Sequence, residues 1–359
     1  MGDRAIADHV VLDGNPCARA AESGGHLPFC LIEFFVGGGL ARLGFGGEWV
    51  VSLANDLCPK KAATYQRNFG QDDLVVGDVA RVRAVRIPRA DAWWASFPCQ
   101  DHSTAGLMEG FTTGRRGSAV FPVIKRLKAA KRLGSAPAVL AFENVVGFLS
   151  LGGAADFRIL VSQLSSCGYL VGACVMDADR WLPQSRRRVF IVAIRKDVPI
   201  PEGCRAEAPS PTWSPPVLLK AVGKLDAGAA ARWVWWSMPL PPEHSLTLAD
   251  VVEDVPWDMW SGAEAVERFL ALIEPRASTR LREMRAAGVP VFGTIVERTD
   301  PATHVRVASL RADVAFTLMA TATGSSRQRL IRVHGEDIRI REFTRKRRGD
   351  VTLRRRLAV

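Results

Sequence analysis

The chain has little of what marks a secreted, metal-bound or membrane-embedded protein. Its seven cysteines, at 17, 30, 58, 99, 167, 174 and 204, are odd in number and include no CxxC pair. Neither a disulfide framework nor a zinc knuckle is indicated, and a reducing cytoplasm suits them. No apolar run approaches the roughly 18 residues that mark a membrane-spanning helix. The start, "MGDRAIADHV", also lacks the apolar stretch of a signal peptide. The expectation is a cytoplasmic protein with no membrane partner and no bound metal. At 359 residues the chain is long enough to bury a sizeable core and to divide into a large domain and a smaller one.

Basic residues crowd toward the C-terminus. The formal charge is +11, yet from Arg327 to Arg356 twelve Lys or Arg stand against four acids, while the rest of the chain holds 36 basic and 33 acidic residues. The total charge therefore says little about whether the large domain meets a polyanion.

What is present is a series of short apolar runs: "FCLIEFFV", "EWVVSLAND", "DLVVGD", "DAWWASFP", "APAVLAFEN", "YLVGACVMDA" and "RRVFIVAIRKD". Helical patterns such as "PKKAATYQRNFG" and "FPVIKRLKAAKRLG" separate some of them. This alternation predicts an α/β fold with a parallel sheet buried on both faces. Past Pro199 the texture changes: prolines cluster at 199, 201, 209, 211, 215 and 216, and six of the ten tryptophans follow. Four segments are expected. Residues 1–28 form a loose extension, 29–199 the sheet domain, 200–326 a smaller irregular domain and 327–359 a basic C-terminal segment.

In open α/β sheets ligands gather beyond the carboxyl ends of the strands, so each polar residue that follows a run is a site candidate. "FFVGGGLARLGF" puts glycines between strand and helix, where backbone can approach a nucleotide closely or simply turn. "ND" (Asn55, Asp56) and "GD" (Gly77, Asp78) end the next two runs, and each acid serves equally well as a ribose-binding group or as an ordinary strand-end residue. In "ASFPCQDHSTAG" a proline stops ladder pairing and leaves Cys99 at the rim; a packed core thiol is the alternative. Glu143 and Asn144 follow "APAVLAF", and a carboxyl at a desolvated strand end tends to keep its proton, which suits a hydrogen bond to a ring nitrogen. "QSRRRVFIVA" alternates Arg186 and Arg188 onto one face, unless it is only a basic edge strand.

Taken in order, "FVGGG", "ND", "GD", "FPCQ", "ENV" and "QSRRR" resemble the motifs of the DNA cytosine-5 methyltransferase family over residues 29 to about 195. The resemblance implies a Rossmann-like S-adenosylmethionine-dependent catalytic domain beside a smaller target-recognition domain. It implies that Phe35, Gly37 and Gly39 line the cofactor pocket, that Asp56 binds the ribose hydroxyls, and that Leu57 and Asp78 meet the adenine. Pro98 and Cys99 match the catalytic pair, Glu143 the cytosine-binding carboxyl and Asn144 a supporting residue. Gln184, Arg186 and Arg188 match the motif bordering the extruded base. The expected partners are double-stranded DNA and a cognate restriction endonuclease, with the enzyme a monomer.

Carbon 5 of cytosine is a poor nucleophile. A Cys99 thiolate adding to carbon 6, with Glu143 at N3, makes it electron-rich enough to take a methyl group. The base must first leave the stack. The glycine-rich stretch after Cys99, with Arg115 and Arg116 for phosphates, suits a closing loop. "TATGSSRQRLIRV" offers Arg327 and Arg329 as further DNA contacts.

The pattern departs from the family at Leu40 and Leu57, where glycine and an aromatic are frequent, and at the C-terminus. Arg341, Phe343 and Thr344 begin the closing motif, but Lys346 and Arg347 stand where arginine and glutamate are expected. The favoured expectation is a chain truncated or frame-shifted near Thr344, with a basic DNA-binding tail as the other reading. Other functional readings are a catalytically impaired DNA-binding relic, a tRNA cytosine-5 methyltransferase and a small-molecule methyltransferase.

Overall fold

The computed structural model describes residues 28–98, 120–243, 246–252, 260, 263–300, 303–317 and 327–342. Cys99, Arg115, Arg116, Phe343, Thr344 and the basic residues beyond them lie outside this set. Two compact units divide the chain: Met1–Met176 with Arg187–Pro239, and Asp177–Arg186 with Leu240–Val359.

The first unit is built on seven strands: β1 (Phe29–Phe34), β2 (Trp49–Asp56), β3 (Leu74–Val76), β4 (Ala92–Ala95), β5 (Val139–Val145), β6 (Tyr169–Asp177) and β7 (Arg187–Arg195). Their order is β3-β2-β1-β4-β5-β7-β6. β1 to β5 are mutually parallel, and β7 runs antiparallel to β5. The chain crosses between parallel strands through α1 (Leu40–Phe45), α2 (Pro59–Phe69) and α3 (Val120–Arg132), and α4 (Ala155–Ser166) leads from β5 to β6. This is the α/β sheet that the alternation of runs predicts, except that β7 is antiparallel, and it is the Rossmann-like architecture that the resemblance implies.

Buried faces explain the sequence. In β1, Cys30 to Phe34 are all buried, as a strand sandwiched between helices requires. α3 turns Val120, Val123, Ile124, Leu127 and Ala130 into the core, a stripe at helical spacing. Cys58, Cys167, Cys174 and Cys204 are free thiols.

The first unit continues past residue 199, to Pro239. The reason is the edge of β6, which would otherwise present unpaired backbone. Val171 N–H donates to Arg232 O and Val234 N–H to Val171 O, each at 2.9 Å, and Val175 N–H donates to Trp213 O at 2.9 Å. Trp236 Nε1 donates to Val192 O at 3.1 Å. Trp213, Trp233 and Trp236 therefore belong to the sheet unit rather than to a separate domain. Gly172 makes the approach possible: a Cβ there would sit 2.3 Å from Val234 O and 2.5 Å from Trp236 Nε1. Gly172→Ala is expected to cost about 1–3 kcal/mol through forced displacement of this segment, read as a lower urea midpoint at unchanged slope.

After the short paired strands β8 (Arg205–Ala206) and β9 (Trp235–Trp236) of the first unit, the second unit centres on an antiparallel sheet of β10 (Val291–Thr299), β11 (Arg306–Ala312), β12 (Arg327–His334) and β13 (Asp337–Glu342), in the order β11-β10-β12-β13. Its core joins Ile295, Ala308, Leu310, Ile331, Val333 and Ile340 to Phe269, Leu281 and Met284 of two helices, Ala263–Leu272 and Pro275–Ala286. Residues 327–342 thus supply two of its strands, so the segment expected to be a basic tail begins as sheet. Among the described residues no helix is long and apolar enough to cross a membrane.

Candidate functional site

Because β1 to β5 are parallel, the residues after each of them collect along one rim. Register fixes the alignment: Phe34 pairs with Asn55 and Ala95, Asp56 with Val76, and Ala95 with Phe142. The turn after β1, the ends of β2 and β3, the Ser96–Pro98 stretch and the end of β5 therefore lie on the same edge.

The turn after β1 is tightly specified. Phe35, Gly37 and Gly39 all have positive φ, at 59°, 60° and 86°. At Gly39 a Cβ would stand 2.3 Å from the Phe69 ring, so only glycine fits. Asp56, 5% exposed, braces the turn. One carboxylate oxygen accepts from Gly37 N–H at 2.8 Å and the other from Cys58 N–H at 2.7 Å. Asn55 Nδ2 ties β2 to β3 by donating to Val75 O and Gly77 O. Asp78 accepts from Ala80 N–H at 2.8 Å and is itself exposed, as is Leu57. Above Gly37 and Gly77 a Cβ would meet nothing within 4 Å. An open glycine cradle, a held acid and an exposed aliphatic side chain in one row fit an adenosyl group.

Pro98 is half-buried beyond β4, after the buried Phe97; the expected nucleophile follows it outside the described residues. On β5, Glu143 forms an ion pair with Arg188, Oε1 to Nε at 2.8 Å, each side chain 15% exposed. The pair follows from register: Arg188 stands opposite Val145, two residues from Glu143 and on the same face. Asn144 points to the other face and is buried. Its Oδ1 accepts from Val145 N–H at 2.8 Å, while Nδ2 has no hydrogen-bond partner. A buried orphan donor at the rim is a place for a ligand or a moving segment to bind.

The remaining expected residues fall elsewhere. Gln184 and Arg186 belong to the second unit, with Arg186 N–H donating to Asp177 Oδ1 at 2.7 Å. Gln184 is 6% exposed and bridges Ala315, a burial that does not suit the expected DNA contact. Arg327 begins β12. Arg329 corrects the expectation of a DNA-contacting arginine: it is 2% exposed and ion-paired with buried Glu297. Alternation along β12 turns Arg329 to the covered face together with Ile331 and Val333. Among the described residues no cluster of His, Cys, Asp or Glu could hold a metal ion.

Sequence reasoning passed over Glu33, Arg42, Tyr65 and Asp73, which form a buried polar group beneath α1. The available signal was a lone glutamate inside the otherwise apolar "FCLIEFFV".

Similarity agrees with the geometry. Over 171 residues the chain is 36% identical to the type II methyltransferase M.BsuFI of Bacillus subtilis, covering 47% of this chain and 40% of that protein. It is 30% identical over 201 residues to the type II methyltransferase M.MspI of Moraxella sp, covering 55% and 44%. The chain thus spans less than half the length of these two relatives. Among solved structures, the S. pombe Dnmt2 methyltransferase matches with a TM-score of 0.46 at 17% identity, over 69% of this chain and 67% of that one, too loosely to carry an assignment. The profile of the C-5 cytosine-specific DNA methylase family matches residues 29–275, and the chain belongs to that family.

Proposed function

We propose that this protein is a DNA cytosine-5 methyltransferase, which methylates carbon 5 of a cytosine turned out of duplex DNA through a covalent bond from Cys99. The observation that carries the reading is the common rim of the family-matching unit. It aligns the turn Phe35–Gly39, Asp56, Asp78, Pro98 and Glu143 along parallel strand ends.

S-adenosylmethionine, the methyl donor, supplies an electrophilic carbon when bound. Phe35, Gly37 and Gly39 would shape its pocket, Asp56 would receive the ribose hydroxyls through remaining lone pairs, and Leu57 and Asp78 would flank the adenine. Extrusion of the cytosine costs about a few kcal/mol, offset in part by contacts from the loop after Cys99, with Arg115 and Arg116 on phosphates. The Cys99 thiolate adds to carbon 6 while Glu143 hydrogen-bonds or protonates N3, so the ring takes the sulfur's electron pair and carbon 5 becomes nucleophilic. After methyl transfer the carbon 5 proton leaves as a proton, the sulfur–carbon bond breaks and the pyrimidine regains its aromaticity. Arg188 holds Glu143 in place, Arg186 belongs beside the extruded base, and the unpartnered Asn144 amide supports the closed arrangement. The second unit would read the target sequence, and a cognate restriction endonuclease is the expected cellular counterpart of a monomeric enzyme.

The test is incubation with S-adenosylmethionine and duplex DNA in which 5-fluorocytosine replaces cytosine, since fluorine at carbon 5 prevents release. A denaturant-stable protein–DNA species that Cys99→Ala does not form is expected. DNA binding without that species would identify a catalytically inactive DNA-binding protein, and an adduct with 5-fluorocytosine tRNA alone would move the substrate class to RNA.

A further inference from the structure

The helix that follows the glycine turn is unusual in having no buried residue: α1 exposes Leu40 and Leu43 by 58% and 59%. Apolar packing of α1 is confined to its last residue, Phe45, whose ring lies 5.2 Å from that of Trp49 and 5.6 Å from that of Trp94. Nearer the turn the helix is tied down by Arg42, whose Nη1 lies 2.5 Å from Asp73 Oδ2 and 2.5 Å from Tyr65 Oη. The guanidinium also lies 4.7 Å from the Phe69 ring centroid, the ring against which Gly39 is pressed. Tyr65 Oη in turn lies 3.2 Å from both Asp73 carboxylate oxygens. One arginine thus joins α1 to α2 and to the segment before β3.

Beside this group sits Glu33 on β1, two residues before the turn begins. It is 2% exposed, and its Oε2 has no hydrogen-bond partner. Its β-sheet neighbours, Ala54 and Trp94, do not titrate. The charged or titratable groups facing it are Arg42 from α1, Asp73 and Tyr65. Burial pushes its carboxyl up to about 8, with Arg42 opposing and Asp73 reinforcing the shift.

We infer that Arg42 is a positioning residue for the turn Phe35–Gly39, and that a neutral Glu33 is the condition under which it stays bound to Asp73 and Tyr65. With Glu33 neutral, Arg42 has one carboxylate to satisfy and α1 is anchored. An ionised Glu33 puts a second negative charge in the same buried group, competes for the guanidinium and repels Asp73. Conformations in which the group opens are then favoured, and the turn loses its anchor. The inference rests on the reading of this turn as the S-adenosylmethionine site, and it gives that site a pH dependence.

The sign follows from linkage. A carboxyl raised in the closed arrangement contributes fully to it below the ordinary value of 4.5, and that contribution is lost as pH rises from there through the raised value of about 8. S-adenosylmethionine binding, measured by calorimetry, is expected to weaken about tenfold between pH 7 and pH 9. Glu33→Gln should flatten the profile, and Glu33→Met should do the same if the amide proves hard to accommodate. Hydrogen exchange of the Val36–Gly39 amides in the ligand-free chain, corrected for intrinsic rates, should accelerate over the same pH range in the natural chain and not in Glu33→Gln. Arg42→Ala should raise the cofactor KM more than it lowers kcat and expose these amides at every pH, with Arg42→Lys recovering part of the loss. A profile with the same slope in the natural chain and Glu33→Gln, with exchange unchanged, overturns the inference while leaving the cofactor reading intact. No binding at any pH overturns both.

Discussion

Glu143→Gln should slow methyl transfer by about 10²–10⁴-fold, the range expected when a positioned acid–base group is lost, and leave the melting temperature close to that of the natural chain. The amide oxygen of glutamine can still accept from Arg188 Nε, which lies 2.8 Å from the present carboxylate, so the half-buried guanidinium keeps a partner. What disappears is the carboxyl function proposed for N3 of the cytosine, without which the ring cannot readily take the electrons of the incoming sulfur. Glu143→Ala should be equally slow and less stable, because it strands Arg188 in a site where each partner is only 15% exposed. Arg188→Ala should reduce the rate as well, through a carboxylate no longer held at its angle. Single-turnover rates with duplex DNA, set beside thermal melts, separate these cases. A Glu143→Gln rate within about threefold of the natural chain would remove Glu143 from the chemistry.

Arg329→Ala should destabilise the second unit by about 3 kcal/mol, the lower part of the range for breaking a buried ion pair. Arg329 is 2% and Glu297 3% exposed, so truncating the arginine leaves a carboxylate inside the core. Arg306, 38% exposed and 3.1 Å from the same carboxylate, softens the loss. Replacing both buried partners together, Arg329→Met with Glu297→Leu, should be close to neutral, since neither charge is then left unpaired. Urea melts of the two variants test this. A single variant that melts with the natural chain would show that the pair is not held as described. The slope of log binding constant against log salt for DNA should not move with either variant, because an arginine facing the core neutralises no phosphate.

The architecture of the first unit was readable because parallel strands buried on both faces leave uninterrupted apolar runs, and those runs mark their own ends. "FCLIEFFV", "EWVVSLAND" and "APAVLAFEN" became β1, β2 and β5, with the expected glycine turn after the first and the expected acids Asp56 and Glu143 toward the carboxyl ends of the other two. The boundary at 199 was not readable in the same way. Prolines and tryptophans after that point look like an irregular domain, and only contact with the edge of β6 shows that residues to Pro239 finish the sheet unit. Arg329 misled for a related reason: an arginine in a basic stretch suggests a surface, and the acid that neutralises it lies 32 residues away.

The sequence by itself determined the order of strands and helices, the glycine turn, the family and the residue types available at the rim, because each is written in local spacing. Only the tertiary structure decided that Glu143 meets Arg188, that Arg329 turns inward to Glu297 and that Arg42 anchors α1 beside a buried Glu33. These pairings join residues distant in the chain, and strand register and burial, not local composition, determine which charges face each other.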